Sequence, residues 1–190
     1  GIFSSEGKQV LDVKYDSITS FVEGRALILD KAGHRIIGIL DQNGGILKSF
    51  ENDQIFATAY PYYKEGLLSY KEKNGLCGYI NSQGITSIKA RFYLAAPFQN
   101  GIATVQHADG DGYFGLINKS GGSAIISDTK YKFLSSMVDG QLLAVTSSTR
   151  GGDLLRIMRL FCWITRQMRL IPVKNLYSDT KHNLIIIAKR

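Results

Sequence analysis

The chain has 190 residues, of which 44 % are hydrophobic, 11 % aromatic and 21 % charged; this is ample for a buried core and excludes an intrinsically disordered chain. Its net charge of +7 is uneven, because residues 151–190 hold eight Lys/Arg against two Asp/Glu, net +6, whereas residues 1–150 carry only +1, so an electrostatic partner would meet the C-terminal segment. No apolar run approaches the roughly 18 residues of a transmembrane helix, and Cys77 and Cys162 stand too far apart, outside any motif, to form a disulfide framework or a metal site.

Twenty Gly, only three Pro and many short β-branched and aromatic runs read as short strands joined by tight turns. The chain opens inside its first element, so it reads as a piece of a longer array whose targeting segment is absent or lost. Gly1-Ile2-Phe3-Ser4-Ser5-Glu6-Gly7 starts a pattern that returns as Gly38-Ile39-Leu40-Asp41-Gln42-Asn43-Gly44. It returns again as Gly78-Tyr79-Ile80-Asn81-Ser82-Gln83-Gly84 and Gly115-Leu116-Ile117-Asn118-Lys119-Ser120-Gly121. The second Gly steps through positions 7, 44, 84 and 121, at intervals of 37, 40 and 37. In this step Asp, Asn or Ser caps a turn with its own side chain, and Gly supplies the positive φ that closes a bulged hairpin.

Strand follows each turn, as at Val10-Leu11, Ile46-Leu47 and Ile125-Ile126. A loop carrying Tyr15, Phe92 or Tyr131 then leads to a second anchor, a large apolar residue three before a Gly: Phe21/Gly24, Tyr63/Gly66, Phe98/Gly101 and Met137/Gly140. Apolar strands are predicted at residues 26–29, 67–70, 102–105 and 142–145, with further turns at 31–35, 72–74 and 108–112. Two anchors in phase give four units, 1–37, 38–77, 78–114 and 115–149, none of which can bury its apolar face alone. Residues 150–190 read as a short insertion, roughly 149–158, and a degenerate basic fifth unit. There Cys162-Trp163-Ile164-Thr165-Arg166-Gln167-Met168 takes the place of the Gly78 motif, and Asn183 that of a corner Gly. Residues 153–161 are the one stretch with helical spacing.

These anchors resemble the WG (KWG) repeat family, whose pattern is Trp-Gly-x-Ile-[Asp/Asn]-x-x-Gly, a β run ending in Ile-Pro, then Phe-x-[Glu/Asp/Asn]-Gly and Leu/Ala-x-Val. The chain shows Gly78-Tyr79-Ile80-Asn81, Phe98-Gln99-Asn100-Gly101, Ile102-Ala103-Thr104-Val105 and Leu170-Ile171-Pro172, and the resemblance covers nearly its whole length. The signature Trp is replaced by Ile37, Cys77, Phe114 and Phe161, all apolar, so a core role survives. The resemblance implies bacterial origin and an interaction surface, and it brings no catalytic residues. The expected fold is all-β, an open array of β-hairpin repeats of about 37–40 residues, with propeller-like blades as the alternative.

Little chemistry competes with a binding role. Gly110-Asp111-Gly112-Tyr113-Phe114-Gly115 matches G-x-G-x-x-G, but strand is predicted on both sides where a phosphate site needs a helix after it. Asp109 and Asp111 offer calcium too few oxygens. His34, His107 and His182 fall beside turns in different units, without metal or triad spacing; convergence of His107, Asp109 and Asp111 with another acid would revive an enzyme. No catalytic, cofactor or metal residues are assigned. The candidate binding residues are Tyr60 and Tyr62, clustered with Pro61 and Tyr63, and the basic set Arg156, Arg159, Trp163, Arg166 and Arg169. Tyr suits protein hot spots; Arg among aromatics suits nucleic acid or an anionic surface, although a solvated terminal repeat or degraded sequence reads the same way. The favoured partner is a protein or peptide.

Overall fold

A computed structural model describes residues 1–50, 53–124, 130–135, 141–147, 153–162, 168–172, 176–179 and 184–187. Every described element is a strand. The first expected unit holds β1 (Ile2–Phe3), β2 (Gln9–Leu11), β3 (Ser17–Ile18) and β4 (Arg25–Leu29). Next come β5 (Ile36–Asp41), β6 (Ile46–Ser49), β7 (Ile55–Ala57) and β8 (Leu67–Glu72), then β9 (Cys77–Asn81), β10 (Thr86–Ala95) and β11 (Ile102–His107). They are followed by β12 (Phe114–Asn118), β13 (Tyr131–Leu134) and β14 (Gln141–Ser147). The C-terminal segment carries β15 (Asp153–Cys162), β16 (Met168–Pro172), β17 (Leu176–Asp179) and β18 (Leu184–Ile187).

Strands pair in chain order and antiparallel, as short turns require. β1–β2, β3–β6 and β17–β18 form sheets of two, four and two strands, and β7 to β16 form one open sheet of ten. That sheet runs uninterrupted through successive units, where a propeller would divide it into separate blades of four.

The turns carry the repeat. At Asn81 the side-chain oxygen accepts the Gln83 and Ile85 amides at 2.9 and 3.0 Å, while Gly84 sits at φ +73. Asp41 and Asn118 do the same for Asn43 and Gly45, and for Ser120 and Gly122. This is the bulged three-residue hairpin, in which a left-handed residue is obligatory.

Burial is shared between units. Leu27, Leu29 and Ile36 of the first unit, Ile39, Phe50, Tyr63, Leu68 and Tyr70 of the second and Ile80 of the third pack as one buried cluster. At about 1.5–3 kcal/mol per large apolar side chain removed from water, this cluster ties successive expected units together, beside a second cluster drawn mainly from residues 79–105.

Three expectations change. Residues 153–161 are not a helix: β15 pairs through seven positions with β14 and five with β16, so ladders on both sides outweigh the spacing of Arg156 and Arg159. Phe92 and Tyr131 lie in strands β10 and β13 rather than in a loop. β10 stays paired there because its register slips against β9 between Ile88 and Phe92, a bulge that bends a strand without ending it. Met168 opens β16 instead of closing a turn. Ile125-Ile126, Met137, Gly140, residues 148–152, Trp163, Arg166, His182 and Asn183 lie outside the described residues. Among the described residues, no helix is long and apolar enough to cross a membrane.

Candidate functional site

The second anchor is a two-residue hairpin turn. Glu23-Gly24, Glu65-Gly66 and Asn100-Gly101 have φ of 50 and 71, 53 and 78, and 53 and 77. The flanking pairs Val22/Arg25, Lys64/Leu67 and Gln99/Ile102 close antiparallel bridges. Positive φ at both central residues defines the type I′ turn, whose twist suits a hairpin. Its two central amides point outward, unused by the strands.

Those amides are claimed by the preceding unit. Glu65 N and Gly66 N each donate to the Glu23 carboxylate at 2.8 Å, and Gly101 N donates to Glu65 Oε2 at 2.9 Å. The Lys119 ammonium closes on the same oxygen at 3.2 Å. A non-Gly residue in the left-handed region costs about 1 kcal/mol or more; the charge-assisted hydrogen bonds to the turn amides offset part of that. The glutamates thus form a relay from corner to corner, 42 and 35 residues apart in sequence.

Glu65 reports on this relay. Burial alone would raise its pKa, but the Gly101 amide, the hydrogen bond and charge of Lys119 and the Asn100 amide outweigh it and hold the carboxyl below its usual value. A depressed pKa contributes stability that is complete above the unfolded value and disappears as pH falls through the folded one. Unfolding of the wild type and of Glu65→Gln, followed from neutral to acid pH, should therefore show a stability difference that shrinks in acid. A difference constant with pH would contradict the relay.

The tyrosine segment leads into the Glu65 corner. Thr58 Oγ1 accepts the Tyr60 amide at 3.1 Å, and Tyr62 N donates to Tyr60 O at 2.8 Å around Pro61; the fixed φ of proline suits the centre of such a three-residue turn. The turn separates the tyrosines. Tyr63 is 1 % exposed, whereas Tyr62 is 38 % exposed. The Tyr63 hydroxyl donates to Asn81 O at 3.0 Å, and burial pushes its pKa well above the phenol range despite the opposing charge of Arg25. Tyr60 and Tyr62 meet edge to face, with centroids 6.5 Å apart.

Opposite them lies the corner of the third unit. Tyr60, Tyr62, Lys64, Pro97, Phe98 and Gln99 line a cleft of about 250 Å³. The structure thus brings together two residues expected from sequence and adds Lys64, Pro97 and Gln99; the only advance signal for these was their place beside the corner motif. A second hollow, of about 320 Å³, has opposite charges on its rim in Lys48, Asp53 and Glu72.

The other candidates separate. His107 Nδ1 lies 3.7 Å from Asp109, while Asp111 faces Lys130 at 3.6 Å, so the two acids face different side chains. Among the described residues no group of three or more His, Cys, Asp or Glu is placed to hold a metal. The G-x-G-x-x-G run occupies the β11–β12 hairpin, with strand on either side. Cys77 is buried, and burial raises its thiol pKa, the opposite of an activated nucleophile. Arg156 and Arg159 lie on β15 and Arg169 on β16.

Compared with known proteins, residues 1–30 and 78–110 match the model of the WG containing repeat. No curated protein matches the chain.

Proposed function

We infer from the match of residues 1–30 and 78–110 to the WG containing repeat, from the β-repeat architecture and from the corner cleft that the chain is a non-enzymatic binding or scaffolding surface for a protein or peptide partner. The observation that carries this is the cleft of about 250 Å³ between Tyr60, Tyr62 and Pro97. It is smaller than the roughly 300–1,000 Å³ of small-molecule sites, and so has the size for one or two side chains of a peptide. Two tyrosines supply contact area at low entropic cost, Lys64 and Gln99 offer hydrogen bonds at the rim, and the glutamate relay fixes one wall against the other. The four units and the degenerate fifth act, on this view, as the frame that presents it.

Peptides selected from a displayed library on the wild-type chain provide the test. Tyr60→Ala with Tyr62→Ala is expected to weaken them at least tenfold, because removing a hot-spot aromatic costs about 2 kcal/mol. Unchanged affinity in the double variant would overturn the site.

A second reading is supported by charge: residues 151–190 carry net +6, as expected of a surface for nucleic acid or anionic lipid, with Arg156, Arg159, Trp163, Arg166 and Arg169 as its contacts. It predicts steep loss of binding with salt.

A further inference from the structure

The glutamate relay leaves its first corner open. Glu23 and Gly24 have the same paired positive φ, 50 and 71, as the corners that follow, and the same closing bridge between Val22 and Arg25. In the next two corners a carboxylate from the preceding unit occupies the turn amides. Among the described residues nothing occupies those of Glu23 and Gly24. Glu23 spends its own carboxylate forward, on Glu65 and Gly66.

A second observation marks the same place. Phe21 is 42 % exposed, whereas its counterparts Tyr63 and Phe98 are 1 % and 0 % exposed. Tyr63 is buried in a cluster that includes Leu27 and Leu29 from the unit before it, and Phe98 in one that includes Leu67. Phe21 thus lacks the apolar cover, and its corner the carboxylate, that a preceding unit supplies elsewhere.

We propose that the Glu23–Gly24 corner, with Phe21 beside it, is a docking site for another repeat unit of the same build, whose corner glutamate places its carboxylate on the two open amides. Paired amides in a left-handed turn form an anion-binding concavity, and this chain fills the equivalent one twice with glutamate, each time with apolar contact alongside. The site is separate from the tyrosine cleft and stands without it.

Amide NMR of the ¹⁵N-labelled full chain tests this with three probes: acetate, a cyclised hairpin peptide with the sequence of residues 17–29, and the same hairpin with its glutamate changed to glutamine. Acetate and the glutamate hairpin should shift the Glu23 and Gly24 amides saturably, the glutamine hairpin at least fivefold less. The hairpin should also perturb the Phe21 ring. In Glu23→Ala the vacated Glu65 and Gly66 amides should begin to respond to acetate, which shows that an open corner is detectable by this method. Silence at Glu23 and Gly24 while those amides respond would overturn the site. Equal shifts from both hairpins, or a response to acetate and to neither hairpin, would overturn the assignment of a glutamate-bearing repeat as its occupant.

Discussion

Replacing Gly78 by alanine should lower the unfolding free energy by about 3 kcal/mol, the upper part of the range for overpacking a tight interior. Gly78 sits in β9 with no left-handed strain to relieve; what it provides is room. A Cβ there would lie 2.5 Å from Ile88 O, 2.7 Å from Ala90 N and 2.9 Å from Lys89 C. All three are backbone atoms of β10, at the bulge where that strand slips against β9. Backbone cannot rotate away as a side-chain tip can, so the bulge itself must open. Gly38, the same position one unit earlier, is an internal comparison: its Cβ would meet Lys48 O at 3.0 Å and Ile28 Cδ1 at 3.4 Å, and alanine there should cost about 1 kcal/mol. Urea unfolding with an unchanged m-value measures both. Equal costs at the two sites would mean that the close approach over Gly78 is not what selects glycine there.

Phe98→Ala should be still more damaging, at about 4 kcal/mol, or a fall of about 10 °C in the melting temperature of a chain this size. The ring is fully buried and meets Tyr79 edge to face, with centroids 4.9 Å apart at 64°. Tyr79 is itself buried, with its hydroxyl donating to Ala96 O at 2.7 Å, so a void beside it has little freedom to collapse. Phe98→Leu keeps most of the volume and should cost about 1.5 kcal/mol or less. Because the ring is fully buried behind the tyrosine cleft, the leucine variant should fold and bind selected peptides nearly as the wild type does. Thermal unfolding and peptide titration on the same two variants separate these effects; an alanine variant as stable as the leucine one would place the ring outside the shared core.

The parts of this architecture that were legible in advance are those where backbone geometry restricts the residue type. Gly7, Gly44, Gly84 and Gly121 all have φ between 73 and 82, a region other residues enter only at a cost, so the turn is written into the spacing. Relations between units leave weaker traces. Glu23 and Glu65 are visible as acids before a corner glycine, but their function depends on amides 42 and 36 residues further on. Residues 153–161 carry a spacing of three that mimics a helix, and only pairing with β14 and β16 decides for strand. Phe92 reads as a loop residue from sequence because a bulge has no local signature. Among Tyr60, Tyr62 and Tyr63, the corner position correctly separates the buried ring from the two that reach the cleft, whereas Pro97 and Gln99 join them only through the fold.

A peptide-binding cleft between two corners of the β-repeat array makes its sharpest prediction in one titration series. Affinity for a selected peptide would be measured at low and high salt for three proteins: the wild type, Tyr60→Ala/Tyr62→Ala, and a variant with Arg156, Arg159, Arg166 and Arg169 all changed to Gln. The cleft predicts at least tenfold loss in the tyrosine variant, little change in the arginine variant and little dependence on salt. Binding that survives in the tyrosine variant, but fails in the arginine variant and at high salt, would contradict it and move the function to the basic C-terminal segment.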